Sequence, residues 1–121
     1  MLVPENMAIS ESNKAYKAML TPIKKDGKLN ADPDMLERVK TITSRLVAQA
    51  VIYRPDAANW NWSVQVIDEP EIINAWCMAG GRMAIYSGLI LKLEATDDEI
   101  AQVMGHEISH ALLSHTRERM S

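Results

Sequence analysis

Thr96-Asp97-Asp98-Glu99 opens the stretch that most constrains the fold. The Thr96 hydroxyl can accept the Glu99 amide while the Glu99 carboxylate reaches back to the Thr96 amide. This capping box fixes where a helix begins. Apolar residues continue at helical spacing from there to about Ser114. At 100° per residue Ile100, Met104, Ile108, Ala111 and Leu112 cover one arc of about 120°, with Val103 and Leu113 off it. Apolar groups on more than one side predict a helix buried among other elements.

The preceding chain supplies those elements. Asp32-Pro33-Asp34 reads as a helix start, with an Asp N-cap, Pro at the first helical position and an acid in the first turn. Met35, Val39, Ile42 and Leu46 then recur at helical spacing, with Leu36, Val47 and Ala50 beside them, until Arg54-Pro55 stops the helix near Val51. Trp60 to Ile67 changes to a period of two and predicts a half-buried strand. Ile73–Ala79 and Arg82–Ser87 read as two further strands around Gly80-Gly81, a hairpin signal because glycine takes the positive φ values of a tight turn. Gly88 to Leu93 predicts a short helical stretch or turn. Residues 1–30 read as a poorly defined leader with a short, weak helix over Ala8–Leu20, Ala15, Met19 and Leu20 on one side. The expected class is α+β: a long helix (33–51) and the histidine-bearing helix (97–114) on a small, mostly antiparallel three-stranded sheet with a hairpin.

Composition narrows the functions. The chain of 121 residues is 47% apolar and 24% charged, which suits one globular domain or part of one and excludes a disordered tail. Thirteen basic residues are scattered among sixteen acidic ones, for a net charge of −3, against a nucleic-acid footprint. Cys77 is the only cysteine, so an intramolecular disulfide and a cysteine-rich zinc module are both excluded. No apolar run reaches the ~20 residues of a membrane helix, and no signal core or lipidation motif stands near Met1.

His106-Glu107-Ile108-Ser109-His110 carries the chemistry. Two histidines four apart on a helix are rotated by about 40° and separated by about 6 Å along its axis, so their imidazoles can converge on one cation. Neutral imidazole suits zinc. Glu107 follows the first histidine and can face the same side as a base instead of a ligand. Zinc lowers the pKa of bound water to about 7, and the carboxylate can move the proton to a leaving amine. Two core histidines bonded to nearby backbone would give the same spacing.

A hydrolytic zinc needs a third protein ligand. Leu113 and Thr116 stand where the elongated motif requires Gly and His, so the metzincin arrangement is excluded. His115 points to the opposite side of a continuous helix and reads as a helix-end or supporting residue. Glu99 sits about 10 Å up the axis and reads as a cap, and Glu118 lies about 12 Å beyond His110. None of these acids is a convincing third ligand.

Val66-Ile67-Asp68, Asn74-Ala75-Trp76, the run Gly80 to Leu89 and Asp98-Glu99-Ile100-Ala101, followed by the histidine motif, occur in an order that resembles a known family. It is the zinc metallopeptidase family of HtpX, the CaaX prenyl protease and the soluble envelope proteases of the BepA/LoiP type. The resemblance covers about half the chain, from Trp62 to Ser121. It implies zinc held by His106 and His110, with Glu107 as catalytic base and the third ligand a Glu on a helix downstream of Ser121. Residues 1–121 would then be an N-terminal portion of the peptidase domain, inefficient alone. Asn74, Ala75 and Trp76 would form the active-site edge strand that takes an extended or unfolded polypeptide. Alternatively Asn74 marks a strand start and Trp76 fills core, while Arg82 and Tyr86 serve the hairpin surface and packing. The resemblance also implies a bacterial periplasmic or membrane-associated envelope setting and a substrate class of unfolded or misassembled proteins. A different class of function stays open: a chaperone-like module that holds polypeptides on a peptidase scaffold without cutting them.

Overall fold

The computed structural model describes residues 4–113, which form three layers. Helix α1 (Glu5–Lys25) is followed by α2 (Pro33–Tyr53), a 3₁₀ turn at Pro55–Asn59, β1 (Ser63–Ile67), β2 (Ala75–Met78), β3 (Arg82–Tyr86), α3 (Ser87–Leu91) and α4 (Asp97–Leu113). The expected end of the last helix near Ser114, and the readings of His115, Thr116 and Glu118, lie outside the described residues. Among the described residues no helix is long and apolar enough to cross a membrane.

Both expected helix starts form by the expected bonds. The Asp32 carboxylate accepts from the amides of Asp34 at 3.0 Å and Met35 at 3.1 Å. The Thr96 amide donates to Glu99 Oε1 at 2.9 Å, and the Glu99 amide donates to Thr96 Oγ1 at 3.2 Å. Each bond satisfies an amide that the first helical turn leaves without a partner. At the other end of α2, Arg54 is extended before Pro55 (φ −133°, ψ 91°), because the proline ring disfavours a helical residue ahead of it.

The α+β class holds, with the sheet mixed. Its strand order is β1-β3-β2, β1 pairing parallel and β2 antiparallel to β3. The hairpin β2–β3 folds back so that β3 fills the centre and β2 becomes an edge strand. Its loop, Ala79-Gly80-Gly81, holds both glycines at positive φ, +86° and +89°, as the Gly-Gly pair predicts. At the opposite edge, Asn30 pairs with Val66 as a strand would: its amide donates to the Val66 carbonyl and its side-chain oxygen accepts the Val66 amide, both at 2.7 Å. That edge is blunted by a loop in place of a further strand.

One face of the sheet (Val64, Val66, Ala75, Cys77, Met83, Ile85) joins α2 and α4 in the main core, with Val39, Ile42, Ile100, Met104 and Ile108. The other face packs on α1. This corrects the expectation for the first thirty residues: α1 is a 21-residue helix, and Ala15 and Met19 are exposed while Ala8, Tyr16 and Leu20 are buried. Its inner stripe includes Asn13 and Tyr16 because it meets the sheet through hydrogen bonds. Tyr16 donates to the Met83 carbonyl at 2.8 Å, and Arg82 donates to Asn13 at 3.0 Å and to Ser63 at 3.2 Å. An apolar period misses such a stripe.

Arg38 near the start of α2 bonds Asp97 and the Ala95 carbonyl at the start of α4, at 2.6 and 2.9 Å. Arg54, which caps the end of α2, bonds the Leu112 carbonyl in the last described turn of α4 at 3.1 Å. The two helices therefore run side by side in the same direction.

Candidate metal centre

The motif sits on the last two described turns of α4, and the buried stripe beneath it holds it in place. Met104, Ile108 and Ala111 face the core, while His106 and His110 are exposed and Glu107 is half-buried. The helix is thus buried along one stripe and not all round. Val103 is only half-buried, Leu113 is 58% exposed, and an open apolar groove runs between α2 and α4, lined by Leu46, Ala50, Tyr53, Gly105 and Leu112. His106 and His110 do not line that groove, but both are exposed, so a cation held by them would be reachable by water.

The two imidazoles meet. His106 Nε2 and His110 Nε2 lie 3.0 Å apart, with ring centroids 4.5 Å apart and ring planes at 85°. Two nitrogens each about 2.0–2.1 Å from a tetrahedral zinc are about 3.3 Å apart. The pair therefore fits as two ligands of one cation after a shift of a few tenths of an ångström, and without one the same approach makes an N–H···N hydrogen bond. Both Nε2 atoms aim at one point on the exposed side, which rules out two histidines buried separately in the core. Among the described residues no group of three or more His, Cys, Asp or Glu forms around them. Glu99 is engaged in its cap, and the bonds from Thr96 hold its carboxyl below the usual glutamate range.

Comparison with known proteins shows the family. The family model described as Peptidase family M48 matches residues 33–121. The chain belongs to peptidase family M48. It is 32% identical to metalloprotease YcaL of Escherichia coli over 129 residues, covering 98% of this chain and 48% of YcaL. It is 32% identical to metalloprotease LoiP of Escherichia coli, covering 78% of this chain and 35% of LoiP. Human mitochondrial metalloendopeptidase OMA1 is 31% identical over 89% of this chain and 20% of its own length. The chain thus spans about half the length of YcaL and less of the others.

Within this M48 chain, the segment 74–76 divides by side and by bond. The Asn74 carbonyl accepts the Tyr86 amide at 3.0 Å and its side-chain oxygen accepts the Ala75 amide at 2.8 Å, so Asn74 starts the strand. Antiparallel alternation then turns the backbone of Trp76 toward Ala84 and that of Ala75 and Cys77 toward the outer edge. The Trp76 ring lies on the far side of the sheet, edge-on to Tyr16 at 5.8 Å between centroids. The fold therefore packs α4 against the edge strand β2 but keeps the Trp76 side chain away from the histidines. Gly88 lets the 70–72 segment leading to β2 lie directly on α3, since a Cβ there would come within 2.2 Å of the Ile72 carbonyl oxygen. Arg38 and Arg54, which tie the two ends of α4 to α2, have no signature in the sequence, because a single arginine in a helix or at its end is ordinary.

Proposed function

We propose that this M48 chain carries the motif-bearing part of a zinc metalloendopeptidase that acts on unfolded or misassembled polypeptides. The observation that carries the reading is the 3.0 Å approach of His106 Nε2 to His110 Nε2 on the exposed side of α4. Those two nitrogens would hold the metal, and the third protein ligand would be a Glu on a later helix of a longer protein. Zinc bound there would supply a water whose pKa is lowered to about 7 and a Lewis acid for the scissile carbonyl. Glu107, one residue beyond the first ligand, would take the proton from the attacking water and hand it to the leaving amine. The outward backbone groups of Ala75 and Cys77 would bind the substrate in extended form, selecting conformation over sequence. A bacterial envelope setting is proposed on the resemblance to the BepA/LoiP type.

Zinc titration of the chain beside its His106→Ala variant tests the reading. Two ligands predict weak but measurable uptake by the wild type and its loss in the variant. Equal uptake by both removes the assignment.

A further inference from the structure

Arg54 stands where three helices meet. Its Nη1 donates to the Leu112 carbonyl at 3.1 Å, its Nη2 to Glu5 Oε1 at 2.5 Å, and its Nε and Nη2 to the two Asp56 oxygens at 3.0 and 3.1 Å. The guanidinium also lies 4.9 Å from the centre of the Trp60 ring. It is only 22% exposed, so its bonds are screened less than those of a surface pair. Glu5 and Asp56 hold it firmly cationic. Leu112 is two residues beyond His110, in the last described turn of α4. The bond from Arg54 therefore ties the backbone of the turn that follows His110 to the end of α2, and a hydrogen bond from a charged donor is stronger than a neutral one.

We propose that Arg54 is a positioning residue for the metal site: by tying the turn of α4 beside His110 to the end of α2 and the start of α1, it holds His110 in register with His106. The proposal rests on the reading of the two histidines as metal ligands. His106 lies one turn nearer the start of α4, further from this tie. Glu5 extends the tie to α1, so the first residue of α1 also bears on the turn that carries His110. A lysine could keep the charge, but it lacks the planar fork that serves Leu112, Glu5 and Asp56 together.

The test follows both imidazoles by NMR in the ¹⁵N-labelled chain, first without metal and then with zinc alone added. Wild type should show a ring-to-ring contact without metal, and both Nε2 signals should move together as zinc is added. Arg54→Lys should lose the contact, raise the zinc dissociation constant about tenfold, the low end for groups that orient metal ligands, and leave the His110 signal lagging behind that of His106. Glu5→Gln should move all three readouts the same way but less, and it carries the test if Arg54→Lys does not fold. Arg38→Lys is the control, because Arg38 ties the far end of α4 and should leave the pairing unchanged. An unaltered ring contact and zinc constant in folded Arg54→Lys, or an equal effect from Arg38→Lys, overturns the positioning role. Wild-type signals that ignore zinc would instead remove the metal reading itself, and the metal-free ring contact would still decide whether Arg54 holds the pair.

Discussion

The two faces of the sheet are held by different forces. The face toward α2 and α4 is apolar, with Val64, Val66, Met83 and Ile85 packed under Ile100, Met104 and Ile108. The face toward α1 has fewer buried apolar residues and adds directional bonds, from Tyr16 to the Met83 carbonyl and from Arg82 to Asn13 and Ser63. Burial is non-directional and scales with area, whereas hydrogen bonds fix position and contribute about 1 kcal/mol each. The first face therefore supplies most of the stability and carries the histidine helix, and the second sets where the sheet lies against α1. Substitutions on the two faces should differ in kind as well as in size.

The largest effect belongs to the histidine helix on the apolar face. On the proposed reading, in a protein that supplies the third ligand Glu107→Gln should lower the rate of cleavage of an unfolded polypeptide at least about 100-fold, the usual contribution of a general base. Zinc content should stay at the wild-type level. Cleavage at an unchanged rate would remove Glu107 from the chemistry, and polypeptide capture that persists without cleavage would reveal a holding function beside it. Directly below, Met104 is fully buried, and Met104→Ala should cost about 2–5 kcal/mol in a urea melt, as large-to-small core changes do. A loss under 1 kcal/mol would mean that α4 packs more loosely than its contacts indicate.

This difference also explains what could be read in advance. Met35, Val39, Ile42 and Leu46 on α2, and Ile100, Met104, Ile108 and Ala111 on α4, repeat at helical spacing because their environment is apolar. The histidine pair was legible for a related reason: a spacing of four on a helix has one geometric outcome. The extent and inner face of α1 were not, since Asn13 and Tyr16 meet their partners through polar atoms. Nor was the parallel pairing of β1 with β3, because the insertion of the hairpin between two edges leaves no local trace. Arg54 was hidden for the strongest reason. Its partners Glu5, Asp56 and Leu112 are up to 58 positions away in sequence.

On the α1 face the expected changes are smaller. Tyr16→Phe removes the bond to the Met83 carbonyl and should cost about 1 kcal/mol. Burial raises the pKa of the Tyr16 hydroxyl above its ordinary 10.0, so the phenolate is disfavoured in the folded state. The stability tied to this group is therefore complete below pH 10 and is lost as pH rises through the elevated folded value. Melting temperatures at pH 9 and pH 11 should fall more for wild type than for Tyr16→Phe. Parallel declines would place the ionising group elsewhere.

The smallest effect returns to the start of α4, where a directional bond works on the otherwise apolar face. The Thr96 bonds hold the Glu99 carboxyl below the ordinary 4.5, so the carboxylate is favoured in the folded state. Its contribution is present above pH 4.5 and is lost as pH falls through the lower folded value. Gln at position 99 keeps the reciprocal capping bonds without a titrating group. Wild type should thus be slightly more stable than Glu99→Gln at pH 7, with the gap closing as pH falls below 4.5. The carboxylate is exposed, so the gap should also shrink in high salt. Asp97 and Asp98 titrate in both proteins, and only the difference between the two melting curves reports on Glu99. A gap that stays constant from pH 7 to pH 3 would show that the cap holds the helix start by geometry alone.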